Sequence, residues 1–167
     1  MSKNVIWATV FALIAGILQS TLLGRLAVFH AVPDFALGIL VFSSYINGVM
    51  TGQLTGFFSG FILDFLSAAP LGLNALIRTM IGAITGLFNG TFFMDSFLLP
   101  MALCAGATMG KAGMLYLLNL IFRETVHCYS LYEPTLWVEL TLNTLLAPLL
   151  FGFLRFFSPL LIKRRDY

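Results

Sequence analysis

Apolar residues run along this chain in blocks too long for a soluble fold, separated by short polar or Gly/Pro-containing links. The first block, 5–23, follows Lys3 and carries Trp7 near its start, where an interfacial aromatic is expected. A loop at 24–32, with Arg25 and His30, precedes Pro33 and Asp34. That pair reads as a helix start, because Pro suits an early helical position and a carboxylate suits the positive end of the dipole. The second helix extends to 47. An uncharged link at 48–51 leads to a third helix at 52–67, and Pro70 and Gly72 mark 68–74 as a turn. A fourth helix over 75–93, a connector at 94–96 and a fifth helix over 97–122, with Pro100 in its first turn, follow. The polar stretch 123–134 holds Glu124, His127 and Glu133. A sixth helix covers 135–157, and Pro148 is expected to kink it.

The pattern predicts an all-α integral membrane protein with six transmembrane helices. Each span takes about 20 apolar residues, so six use roughly 120 and leave no room for a separate soluble domain. The whole chain, 1–167, is therefore read as a single transmembrane domain. Composition agrees: 59% of residues are hydrophobic and 10% charged, against roughly a quarter charged in soluble domains. A formal net charge of +2 gives no reason to expect nucleic acid. The basic tail, Lys163, Arg164 and Arg165, favours a cytoplasmic C-terminus, and six spans place the N-terminus there too. Arg25 and Arg123 fall on the opposite side, and a five-span reading would separate the termini. No small-x-small cleavage site follows the first block, which is read as a retained helix rather than a signal peptide.

Two four-residue ladders carry more information. The third helix reads Gly52, Gly56, Gly60 and then Asp64; the fourth reads Arg78, Gly82, Gly86 and Gly90. Residues four apart share a helix face, and small residues on that face let membrane helices approach closely. A short turn makes the two helices antiparallel neighbours. Equal depth then sets Gly60 against Gly82, Gly56 against Gly86 and Gly52 against Gly90, with an Asp64–Arg78 ion pair clasping the hairpin. Intramembrane charges also invite a proton or ion relay, but matched depth and opposite sign favour the clasp. Ala102, Gly106 and Gly110 repeat the stripe on the fifth helix and are expected to face the same hairpin.

Lys111 is the deepest charge and needs a carboxylate, a polar cavity or a partner subunit. Glu139 is placed to pair with it or with Arg78. Lys111, Glu133 and Glu139 are the candidates for contact with a partner protein. His30 and His127 have no ligand partner at useful spacing, Cys104 and Cys128 no metal-ligand spacing, and no nucleophile–base constellation is present. Asn89-Gly90-Thr91 fits a glycosylation sequon but falls at a helix end expected to face the cytoplasm. No catalytic, cofactor-binding or metal-binding residues are assigned.

Residues 32–42, Val-Pro-Asp-Phe-Ala-Leu-Gly-Ile-Leu-Val-Phe, and 56–76 resemble the MreD family, the rod-shape-determining membrane proteins of bacteria. The resembling pattern is a Pro-Asp helix start, a glycine-rich helix ending in Asp-x-x-Ser, and a Pro-Leu-Gly-Leu-Asn-Ala-Leu turn. Asp64, Ser67, Pro70, Leu71, Gly72, Leu73, Asn74, Ala75 and Leu76 match it. The resemblance implies a non-enzymatic subunit of the peptidoglycan elongation machinery in the bacterial cytoplasmic (inner) membrane, without a cofactor. It implies MreC as a partner, together with MreB and RodA with its class B penicillin-binding protein. The family is also similar in architecture to the S components of energy-coupling factor transporters, which supplies the alternative of a subunit binding a small, vitamin-like substrate. The glycine stripes weigh against that alternative, since they pack helices where a cavity would have to open.

Overall fold

The computed structural model describes residues 3–21, 32–67, 70–90, 97–122 and 134–161, and all elements among them are helical. In chain order they are α1 (Lys3–Thr21), α2 (Phe35–Asn47), α3 (Val49–Leu66), α4 (Leu73–Leu87), α5 (Leu98–Ile121), α6 (Pro134–Phe156) and the short α7 (Ser158–Leu161). Four of them, α1, α3, α5 and α6, have the length and apolar composition to cross a membrane. The other two apolar helices, α2 and α4, have 13 and 15 residues. At 1.5 Å per residue they extend only about 20 Å, less than the ~30 Å of a hydrocarbon core. In place of six near-equal segments, the described fold therefore mixes long and short helices. Both chain tails and the 123–133 segment lie outside the described residues.

The short α2 is the centre of the bundle. It packs against α1, α3, α4, α5 and α6, and its residues from Ala36 to Tyr45 are all buried. A helix apolar on every side must be surrounded on every side, and here the surround is protein. Leu40, Val41 and Phe42 are almost completely enclosed, with Phe42 edge-on to Phe151 of α6 at 5.1 Å between ring centroids. The outer helices show the opposite economy. Ile6, Val10, Ile14 and Ile17 of α1 and Phe57, Phe61 and Phe65 of α3 are exposed, as they must be if the medium around them is lipid.

The link from α2 to α3 is one residue, Gly48, with φ +86 and ψ −179. That conformation is open essentially only to glycine, so a single residue turns the chain and Val49–Thr51, expected in the link, join α3 instead. At the other end of the hairpin, Leu87 closes α4 and Phe88–Gly90 form a turn, with Gly90 at φ +73. The fourth helix thus stops six residues before the position expected from hydropathy alone, 93. Asn89, in that turn, donates from Nδ2 to the carbonyls of Tyr45 and Ile46 and so satisfies orphan acceptors at the C-terminal end of α2. Asn47 similarly donates to the Leu161 carbonyl at 2.8 Å, fastening α7 beneath the bundle. α6 runs unbroken as helix through Pro148.

The glycine stripes of α3 and α4 do face one another, in a register different from the expected one. Gly52 lies against Gly82 backbone to backbone, Gly56 against Arg78, Gly60 against Asn74 and Ala75, and Gly86 against Gly48 and Val49. The expectation of Gly60 on Gly82, Gly56 on Gly86 and Gly52 on Gly90 is corrected by two helical turns, and Gly90 leaves the stripe altogether. The cause is the turn. Equal overhang at the two helix ends would give the expected register, whereas the Gly72, Asn74 and Ala75 N–H groups meet the Asp64 carboxylate, which sets the first turn of α4 at the level of Gly60. Gly106 and Gly110 of α5 have nothing within 4 Å of where a Cβ would stand, so the stripe on α5 does not close onto the hairpin.

Candidate functional site

The functional side chains gather where α2 begins. Asp34 is the N-cap of α2, and its Oδ1 accepts from the Leu37 N–H at 2.9 Å, as the Pro-Asp start leads one to expect. The same carboxylate accepts from Arg78 Nη2 at 2.9 and 3.1 Å and from Lys111 Nζ at 3.1 Å. Lys111 in turn reaches Glu139 Oε1 at 2.7 Å. The Asp34 backbone N–H donates to Asn143 Oδ1 at 2.7 Å, Asn143 Nδ2 donates to Thr108 Oγ1 at 3.0 Å, and Thr108 donates to the Cys104 carbonyl at 2.9 Å. One network therefore ties α2, α4, α5 and α6 together at a single level.

Lys111 lies near the middle of α5, ten residues before its last residue, Ile121, whereas Gln19 and Ser67, at the ends of α1 and α3, line the same cavity as the cluster. Asp34 and Glu139 are buried, with side chains 4% and 5% exposed, and Arg78 at 8% is little more open; Lys111, at 19%, is the member nearest an opening. Two carboxylates balance two cations, so the cluster carries no net charge. Ions brought this far from water persist only when paired and hydrogen-bonded, and here each has an opposite partner within 3.1 Å.

The expected Asp64–Arg78 clasp is therefore not what the geometry shows. Arg78 turns inward to Asp34. Asp64, buried in the last turn of α3, accepts instead from the backbone N–H groups of Gly72, Asn74 and Ala75 at 2.9, 2.9 and 3.2 Å. It caps α4 across the turn, a carboxylate serving the orphan donors of a helix start that has no side-chain cap of its own. This explains the physical content of the turn motif. Gly72 takes φ +92, which a side chain would strain. Pro70 accepts from Leu73 at 3.1 Å, and Ser67 accepts weakly from Asn74 Nδ2 at 3.4 Å. Leu71 is exposed at the tip.

Lys111 bonds to both Asp34 and Glu139 inside the bundle; Glu139 is buried there, which departs from its expected place on a partner-facing surface, while Lys111 keeps 19% of its side chain exposed. Glu133 lies outside the described residues, as do His30, His127 and Cys128. The residue that sequence reasoning undervalued is Asp34. It was legible as a helix cap, and its place beside an intramembrane arginine and lysine is a tertiary fact with no local signal. Among the described residues no group of three or more His, Cys, Asp or Glu side chains converges as a metal site would.

These features define a class: a multi-pass helical membrane protein whose interior charges are spent joining its own helices. The profile of the family described as rod shape-determining protein MreD matches residues 1–157, and the chain belongs to that family. Comparison with curated proteins and with solved structures found no match. Likeness to the transporter S components thus rests on the sequence resemblance alone, and the transport alternative gains no support.

Proposed function

We propose that the chain is a non-enzymatic subunit of the cell-wall elongation machinery in the bacterial cytoplasmic membrane, spanning it six times with both termini in the cytoplasm. It holds MreC directly and assembles with RodA, its class B penicillin-binding protein and MreB. Membership of the rod-shape-determining family carries this reading. The ion cluster supports the scaffold role, since its four charges neutralise one another across helices and leave no free acid, base or nucleophile among them. A partner inside the bilayer then meets apolar faces such as the Phe57–Phe61–Phe65 row, whose rings are in mutual contact at 6.0 and 5.1 Å.

The test is affinity purification of the tagged chain from native membranes in mild detergent, joined to complementation of a strain lacking it. MreC in stoichiometric recovery and restored rod shape are expected. Recovery of nucleotide-binding transport subunits without MreC would contradict the proposal.

A further inference from the structure

Beside the ion cluster lies a cavity of about 330 Å³, at the end of the bundle where α1 and α3 finish and α2 and α4 begin. Gln19, Asp34, Ser67, Asn74, Arg78 and Lys111 are in its wall. Two buried polar atoms belonging to those residues have no hydrogen-bond partner: Arg78 Nη1, a donor, and Gln19 Oε1, an acceptor. Arg78 is only 7% exposed. An orphan guanidinium N–H at that depth forfeits a charge-assisted hydrogen bond. A donor and an acceptor left open in one cavity describe a ligand that offers the reverse, an acceptor and a donor.

Charge narrows the class. The cluster is already neutral, so a ligand with net charge would leave an uncompensated ion in a buried site. A molecule carrying both a phosphodiester and a protonated amine fits without that cost. Its phosphate oxygen accepts from Arg78 Nη1, its ammonium donates to Gln19 Oε1, and the volume lies within the range of small-ligand sites. In a chain surrounded by lipid the available source of this chemistry is the bilayer. We infer that the cavity bounded by Gln19, Ser67, Asn74, Arg78 and Lys111 binds the zwitterionic headgroup of an aminophospholipid, with Arg78 on the phosphate and Gln19 on the amine.

The inference does not depend on which proteins the chain assembles with. It is tested by native mass spectrometry of the full chain released from nanodiscs of equal phosphatidylethanolamine and phosphatidylglycerol. The wild type is expected to retain one phosphatidylethanolamine and to prefer it severalfold over phosphatidylglycerol, which shares the phosphodiester and lacks the amine. Gln19→Leu removes the acceptor without touching the ion pairs and is expected to weaken retention about tenfold. Ser20→Trp, on the cavity wall, is expected to do the same by bulk, so the inference can be read even if one variant fails to fold. Soluble glycerophosphoethanolamine should compete, and inorganic phosphate at the same concentration should not. Equal retention of both lipids, retention unchanged in the two variants, a cavity that keeps no lipid, or displacement by inorganic phosphate alone would each overturn it.

Discussion

Asp34→Ala is expected to be the most destabilising single substitution among the charged positions. It leaves buried Arg78 and partly buried Lys111 without their shared carboxylate and deprives α2 of its N-cap. Breaking a buried pair by removing one partner costs about 3–5 kcal/mol, and loss of a cap adds about 1 kcal/mol. Thermal unfolding in a fixed detergent should show a shift of that order, and the variant should fail to restore cell shape. Asp34→Asn keeps an oxygen to cap Leu37 and loses the charge, so it should fall between the wild type and alanine. If stability were insensitive to both, the cluster would be ornamental.

The second large effect belongs to the close helix pair. At Gly52 or Gly82 a Cβ would overlap the facing backbone carbonyl, and at Gly60 it would stand 2.6 Å from the Ala75 Cα. Backbone cannot swing aside as a side-chain tip can, so even alanine must splay α3 from α4. Gly52→Ala and Gly82→Ala are each expected to cost about 2–3 kcal/mol, near the top of the usual range for overpacking. Gly106→Ala and Gly110→Ala, where nothing lies within 4 Å, are the matched controls and should unfold at the wild-type temperature. A uniform response across all four glycines would mean that the effect is one of helix propensity and not of packing.

Much of the architecture could be read from periodicity and composition, because lipid imposes a simple rule on helices. The stripe Gly52–Gly56–Gly60 and its counterpart Gly82–Gly86 gave the hairpin, since four-residue spacing fixes a face without knowledge of anything outside the helix. Register was not readable. It depends on where α4 begins relative to the end of α3, which the Asp64 cap on Gly72, Asn74 and Ala75 sets and hydropathy does not encode. The pairing of charges failed for a related reason. With the register wrong, the depth match fails as well: Arg78 lies level with Gly56, two turns from Asp64, and its guanidinium turns to Asp34. Asp34 was visible only in its local role. Its partners, Arg78 and Lys111, are 44 and 77 residues away, and only the folded chain brings them together. Lys111 and Glu139 show the converse. Their need for a partner was evident from sequence, and the inside of the protein supplied it.

Arg78 is held by Asp34 and not by Asp64. Double-mutant cycles for Asp34–Arg78 and Asp64–Arg78, measured by thermal unfolding under identical conditions, separate the two arrangements. Residues in direct contact couple by about 0.5–3 kcal/mol, and independent sites add within about 0.5 kcal/mol. The expected result is strong coupling between Asp34 and Arg78 and near-additivity for Asp64 and Arg78. Strong coupling of Asp64 to Arg78, with Asp34 additive, would contradict it.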